Sequence, residues 1–182
     1  MSDLSLLGIS GSLRAASTNR LLIRAAARHF DPASFIEAEI DFPIYNGDLE
    51  DKGIPDAVTL LGRQIDEADA VIISTPEYNK GLSGGLKNAL DWVSRLEGNP
   101  WRDKPVAIMS AASGVAGGAR GQSMLRTLLN PFRPHVIPGP EVMVGQTSKQ
   151  WNEDGTLANE GTHKFLGELM SELRKVAEAR SA

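Results

Sequence analysis

Residues 4–19 read LSLLGISGSLRAASTN, and the rest of the chain can be placed around them. The apolar run 4–9 is what a strand buried on both faces requires. It breaks into Ser10, Gly11 and Ser12, carries Arg14, and closes on Ser17, Thr18 and Asn19 before a helical pattern begins at Leu21. A strand, a small polar loop and a helix start together form an anion site, because unpaired N–H groups and the positive end of the helix dipole face the loop. Ser10, Ser12, Ser17 and Thr18 add hydroxyls, Asn19 adds an amide, and Arg14 adds a planar fork that spans two phosphate oxygens. The Walker pattern is absent, since no Gly-Lys pair occurs. The G-x-G-x-x-G fingerprint fails as well, with Arg14 near the place of its third glycine. A hydroxyl-rich loop with one arginine suits a terminal phosphate better than a buried pyrophosphate. Serine caps on an ordinary strand-to-helix loop would produce the same letters.

Further along, apolar segments alternate between strand and helix periods. A first helix ends at Asp31-Pro32, and 34–40 is an edge-like strand mixing Glu37 and Glu39 with Phe35 and Ile36. Residues 42–53 read as irregular, 55–68 as a helix, and 70–75 (AVIIST) as the clearest central strand. A helix over 83–95, a strand within 104–112, and a helix with Met124, Leu125, Leu128 and Leu129 turned inward follow, the last stopped by Pro131. A fifth strand spans 135–144, interrupted at Pro138-Gly139-Pro140. The final helix, 159–179, places Phe165, Leu166, Leu169, Met170, Leu173, Val176 and Ala177 on one stripe.

This alternation predicts an α/β fold, a doubly wound five-stranded parallel sheet in the flavodoxin-like order 2-1-3-4-5 with helices on both faces. The polar loops after the first, third and fourth strands then converge on one crevice. Pro76-Glu77-Tyr78-Asn79 brings free backbone groups, an aromatic edge and an amide, with Glu77 read as a solvated carboxylate. Ser113 and Gly114 open the third loop, whose glycines, Gly117 among them, allow close approach of backbone or simple mobility.

The 182 residues favour one domain, 1–182, and carry a net charge of −4. No basic face points to nucleic acid and no apolar run to a membrane. Cysteine is absent, which removes disulfide and thiol chemistry and makes a cytoplasmic address the default. His29, His135 and His163 are scattered, without a ligand spacing.

Three segments together carry a resemblance. Gly11-Ser12-Leu13-Arg14 with Ser17-Thr18-Asn19, then Pro76-Glu77-Tyr78-Asn79, then Leu86-Lys87-Asn88-Ala89-Leu90-Asp91-Trp92 make the chain similar to the NADPH-dependent FMN reductase family, nearest its chromate/quinone reductase branch. The resemblance implies bound FMN, NADPH or NADH as electron donor, and hydride transfer through flavin N5 to quinones or similar small-molecule acceptors. It implies that Ser10, Ser12, Leu13, Arg14, Ser17, Thr18 and Asn19 hold the FMN phosphate. Pro76, Glu77, Tyr78, Asn79, Ser113 and Gly114 would border the isoalloxazine, with Gly117 beside them. It also implies a homodimer or homotetramer. Ser83 departs from the family, which often has proline before this glycine; serine suits a helix N-cap. A reductase that releases reduced FMN, a flavodoxin-type carrier, and a flavin-free nucleotide binder remain as alternatives.

Overall fold

The computed structural model describes residues 3–181. The chain runs β1 (Ser5–Ser10), α1 (Thr18–Phe30), β2 (Ser34–Ala38), α2 (Gly47–Glu50), α3 (Asp56–Glu67) and β3 (Ala70–Thr75). It continues through β4 (Glu77–Tyr78), β5 (Gly81–Leu82), α4 (Gly84–Val93), β6 (Pro105–Ala111) and α5 (Ala119–Leu129). β7 (His135–Val136), β8 (Val142–Val144) and α6 (Glu160–Ser181) complete it.

The main sheet is parallel, in the order β2-β1-β3-β6-β7, with β8 also paired to β6. This is the expected order, with β6 as fourth strand and β7 and β8 as halves of the fifth. The fifth strand divides because Pro138 and Pro140 have no N–H to give to a ladder. β7 meets the start of β6 (Pro105↔His135) and β8 its end (Ala111↔Val144).

Period-2 alternation divides the core between the two faces. Leu6, Ile72, Ala107 and Met109 face α1 and α6. Leu7, Ile9, Val71, Ile73, Val106 and Ile108 face α3, α4 and α5. Lys104, just before β6, is buried, and its ammonium donates to the Asp66 and Ala68 carbonyls at the end of α3. A cation there complements the negative pole of the helix, while burial pulls its pKa below the usual lysine value.

Several boundaries differ from the sequence reading. α1 begins at Thr18, because Ser17 is its N-cap and accepts from the Asn19 N–H at 3.1 Å. The 42–53 stretch contains α2, capped by Asn46 on the Asp48 N–H. Two side chains expected inward face out: Met124 is 43% and Phe165 51% exposed. The inward stripe of α5 is Gly121, Gln122, Leu125 and Leu129. Met124 lies off that stripe, over the hairpin, its Sδ accepting from the Leu82 N–H at 3.3 Å. Phe165 sits one position, about 100°, from the buried Leu166–Met170–Leu173 line of α6.

Candidate active site

Parallel register places the C-terminal ends of the central strands side by side, with Ser10 opposite Ser74 and Thr75 opposite Ser110. The three informative loops leave from this edge. In the first, residues 11–17, the Gly11 N–H donates to Ser74 O at 2.8 Å, and the Ser17 N–H closes a turn on Arg14 O at 3.1 Å. Among the described residues, the N–H groups of 13–16 and of Thr18 have no protein acceptor. The Ser12 and Thr18 hydroxyls and the exposed Arg14 guanidinium have no protein partner either. A 13-residue helix starts directly behind them. The loop therefore offers an anion several donors and one exposed cation.

Not every polar residue of this stretch faces the loop mouth. Ser10 is buried; its hydroxyl donates to Ser12 O at 3.2 Å and accepts from the Ser12 N–H at 3.3 Å. Ser17 is spent as the cap. Asn19 is 2% exposed and stitches three elements. Its Oδ1 accepts from Ser74 Oγ at 2.7 Å and from the Ala111 N–H at 3.1 Å, and its Nδ2 donates to Ala111 O at 3.0 Å. Asn19 thus fixes the start of α1 against the ends of β3 and β6. Leu13 is exposed and leans over α4, 3.5 Å from where a Cβ on Gly85 would stand.

The second loop is a tight antiparallel hairpin, with Glu77 opposite Leu82 and Tyr78 opposite Gly81. Asn79 and Lys80 form its tip with φ of 50° and 65°, the two positive values of a type I′ turn. Tyr78 and Asn79 are exposed, while Pro76 is buried. Glu77 is not a solvated carboxylate. Its Oε2 accepts from the Arg120 and Gly121 N–H groups at 2.9 and 3.3 Å, so it caps α5, and Oε1 lies 3.7 Å from the Arg120 guanidinium.

In the third loop, Ser113, Gly114 and Val115 are exposed. Gly117 is not: it is buried at φ 59°, and a Cβ on it would stand 2.7 Å from the Met143 carbonyl carbon. Its carbonyl accepts from Ser110 Oγ at 2.5 Å, and Gln122 Nε2 donates to that same Ser110 oxygen at 2.9 Å. The loop is therefore fastened from below by Ser110 and Gln122, which the sequence reading passed over. A glutamine on the inward stripe of an amphipathic helix was the available signal.

The L-K-N-A-L-D-W segment is structural. Lys87 pairs with Asp91 on the surface of α4, whereas Asn88 accepts from the Tyr45 N–H at 2.8 Å and donates to Pro43 O at 3.1 Å. Trp92 Nε1 also donates to Pro43 O, at 2.8 Å. Together they pin the 42–45 segment to α4. The histidines are not all scattered, since His29 and His163 meet with ring centroids 4.4 Å apart. Among the described residues no group of three or more His, Asp or Glu is placed to hold a metal, and no helix is long and apolar enough to cross a membrane.

Comparison with known proteins agrees with this geometry. The family model described as NADPH-dependent FMN reductase matches residues 4–149. An NAD(P)H-dependent FMN reductase of Pseudomonas aeruginosa is 38% identical over 174 residues, covering 94% of each chain. A quinone reductase of Escherichia coli is 39% identical over 169 residues, covering 90% of this chain and 89% of its own. Among solved structures, the flavoenzyme NAD(P)H:(acceptor) oxidoreductase FerB of Paracoccus denitrificans superposes with a TM-score of 0.86 at 32% identity, over 97% of this chain and 98% of that one. A parallel sheet of this order, a loop of unpartnered donors at its edge and these similarities together make the chain a member of the NADPH-dependent FMN reductase family, an oxidoreductase that works with FMN.

Proposed function

We propose that the protein passes electrons from NAD(P)H through bound FMN to quinones and similar small acceptors, acting as a single FMN-binding unit per chain. The observation that carries this reading is the loop between β1 and α1. Free N–H groups at 13–16 and Thr18, two free hydroxyls and the unpaired Arg14 suit a dianionic monophosphate, not a neutral ligand. Ser12, Leu13, Arg14 and Thr18 would hold the phosphate, with Ser10, Ser17 and Asn19 shaping the loop from behind. Tyr78, Asn79, Ser113 and Gly114 would border the ring, on backbone that Pro76, Glu77 and Gly117 set in place. FMN supplies the hydride-accepting and hydride-donating chemistry when bound, and the chain supplies position and charge. No side chain is needed as nucleophile.

The reading includes a cytoplasmic address, which the lack of cysteine supports, and a homodimer or homotetramer, which light scattering would size. The decisive experiment is a visible spectrum followed by anaerobic addition of NADPH or NADH. A flavin spectrum that bleaches, and returns on adding a quinone, is the expected result. Flavin that neither nucleotide bleaches would indicate a carrier instead. A colourless protein that takes up no added FMN would overturn the flavin reading.

A further inference from the structure

Ser83 stands at the N-cap position of α4, yet its hydroxyl does not cap that helix. It is 1% exposed and donates to the Gly11 carbonyl at 2.6 Å, across 72 residues of chain. That carbonyl belongs to the peptide joining Gly11 to Ser12, and the N–H of the same peptide goes to Ser10 Oγ. A trans peptide directs its C=O and N–H to opposite sides, so the plane is held from both. The Gly11 N–H is fixed as well, on Ser74 O. The contact is close, since a Cβ on Gly11 would stand 3.1 Å from both Ser83 Oγ and Pro76 Cδ. Directly after this clamped peptide comes the run of N–H groups, 13–16, that has no acceptor among the described residues.

We infer that Ser83 is a positioning residue for the phosphate loop, orienting the free N–H groups toward the anion from the N-cap position of α4. Its hydroxyl is committed to the Gly11 carbonyl. This inference rests on the phosphate-loop reading above and adds to it a dependence on one hydroxyl from another loop. Without the hydroxyl, the buried Gly11 carbonyl has no donor, and the peptide is free to turn in search of water. The loop's donors then lose their common direction.

The test compares FMN with riboflavin, which lacks the phosphate, by flavin-fluorescence titration of the apoprotein. The wild-type chain is expected to bind FMN far more tightly than riboflavin. Equal affinities there would overturn the phosphate-loop reading itself, before any variant is considered. In Ser83→Ala, FMN affinity is expected to fall about tenfold, with riboflavin affinity unchanged. Ser83→Gly is the second variant in case alanine prevents folding, since Ser83 stands at the N-cap position of α4 and glycine is well accepted there. It lacks the hydroxyl and should show the same selective loss. FMN binding as tight as wild type in either folded variant, or an equal loss for both flavins, would sink the proposal.

Discussion

Two residues of one loop do different work, and a pair of measurements separates them. Arg14 is exposed and has no partner among the described residues, so Arg14→Ala should weaken FMN binding about tenfold while leaving the urea midpoint in place. Asn19 is buried with three hydrogen bonds, so Asn19→Leu should cost about 3 kcal/mol, read as a lower urea midpoint at unchanged slope. If Arg14→Ala keeps full FMN affinity, the backbone N–H groups and the Ser12 and Thr18 hydroxyls hold the anion without the guanidinium. At this scale the sequence was only partly legible. Residue types announced a polar loop between β1 and α1, but the destination of each side chain did not follow from its neighbours. Asn19 reaches Ala111 across 92 residues, Ser83 reaches Gly11 across 72, and Glu77 reaches Arg120 across 43. Such partners are chosen by topology, and no local pattern encodes them.

Among elements, the clearest case is α5, whose N-terminal residue before the helix is Gly118 and brings no capping side chain. Glu77 of the hairpin supplies that cap from outside. Glu77→Ala is therefore expected to lower stability by about 1–2 kcal/mol. Arg120→Ala should change it by less than about 0.5 kcal/mol, because the Arg120 side chain is 60% exposed and such pairs contribute little. Equal losses in the two variants would show the ion pair, not the cap, to be the source. Element types and order were readable from apolar periods, because AVIIST and PVAIMSA have the continuous apolar character of strands covered on both faces. The hairpin escaped notice because its turn holds Asn79 and Lys80 instead of the Asn-Gly that usually marks one. Met124 and Phe165 misled for a related reason: a hydrophobic letter near a stripe is not on it, and one residue of offset rotates it by about 100°.

For the molecule as a whole, α6 is the element that closes one face. It packs on α1, where Arg174 donates to the Phe30 and Asp31 carbonyls at 2.7 and 3.0 Å, and His163 meets His29. Burial first, then the nearby His163 and Arg28, push the His29 pKa below its ordinary 6.5. The unfolded chain therefore takes up this proton before the folded one does. Stability from the neutral ring is complete above about pH 6.5 and is lost as pH falls from there through the lower folded value. His29→Gln should flatten the part of the melting-temperature profile between pH 8 and pH 5.5 that this group causes. A profile unchanged by the substitution would remove His29 from the account.

The same closing helix has a consequence for synthesis. Leu166, Leu169, Met170, Leu173 and Ala177 complete a core that also contains Leu6, Ile72 and Met109. The strands leave the ribosome long before the helix that covers them. Until α6 has emerged, the share of this face that α1 does not cover stays exposed on the nascent chain, and that interval is when a chaperone has most to hold.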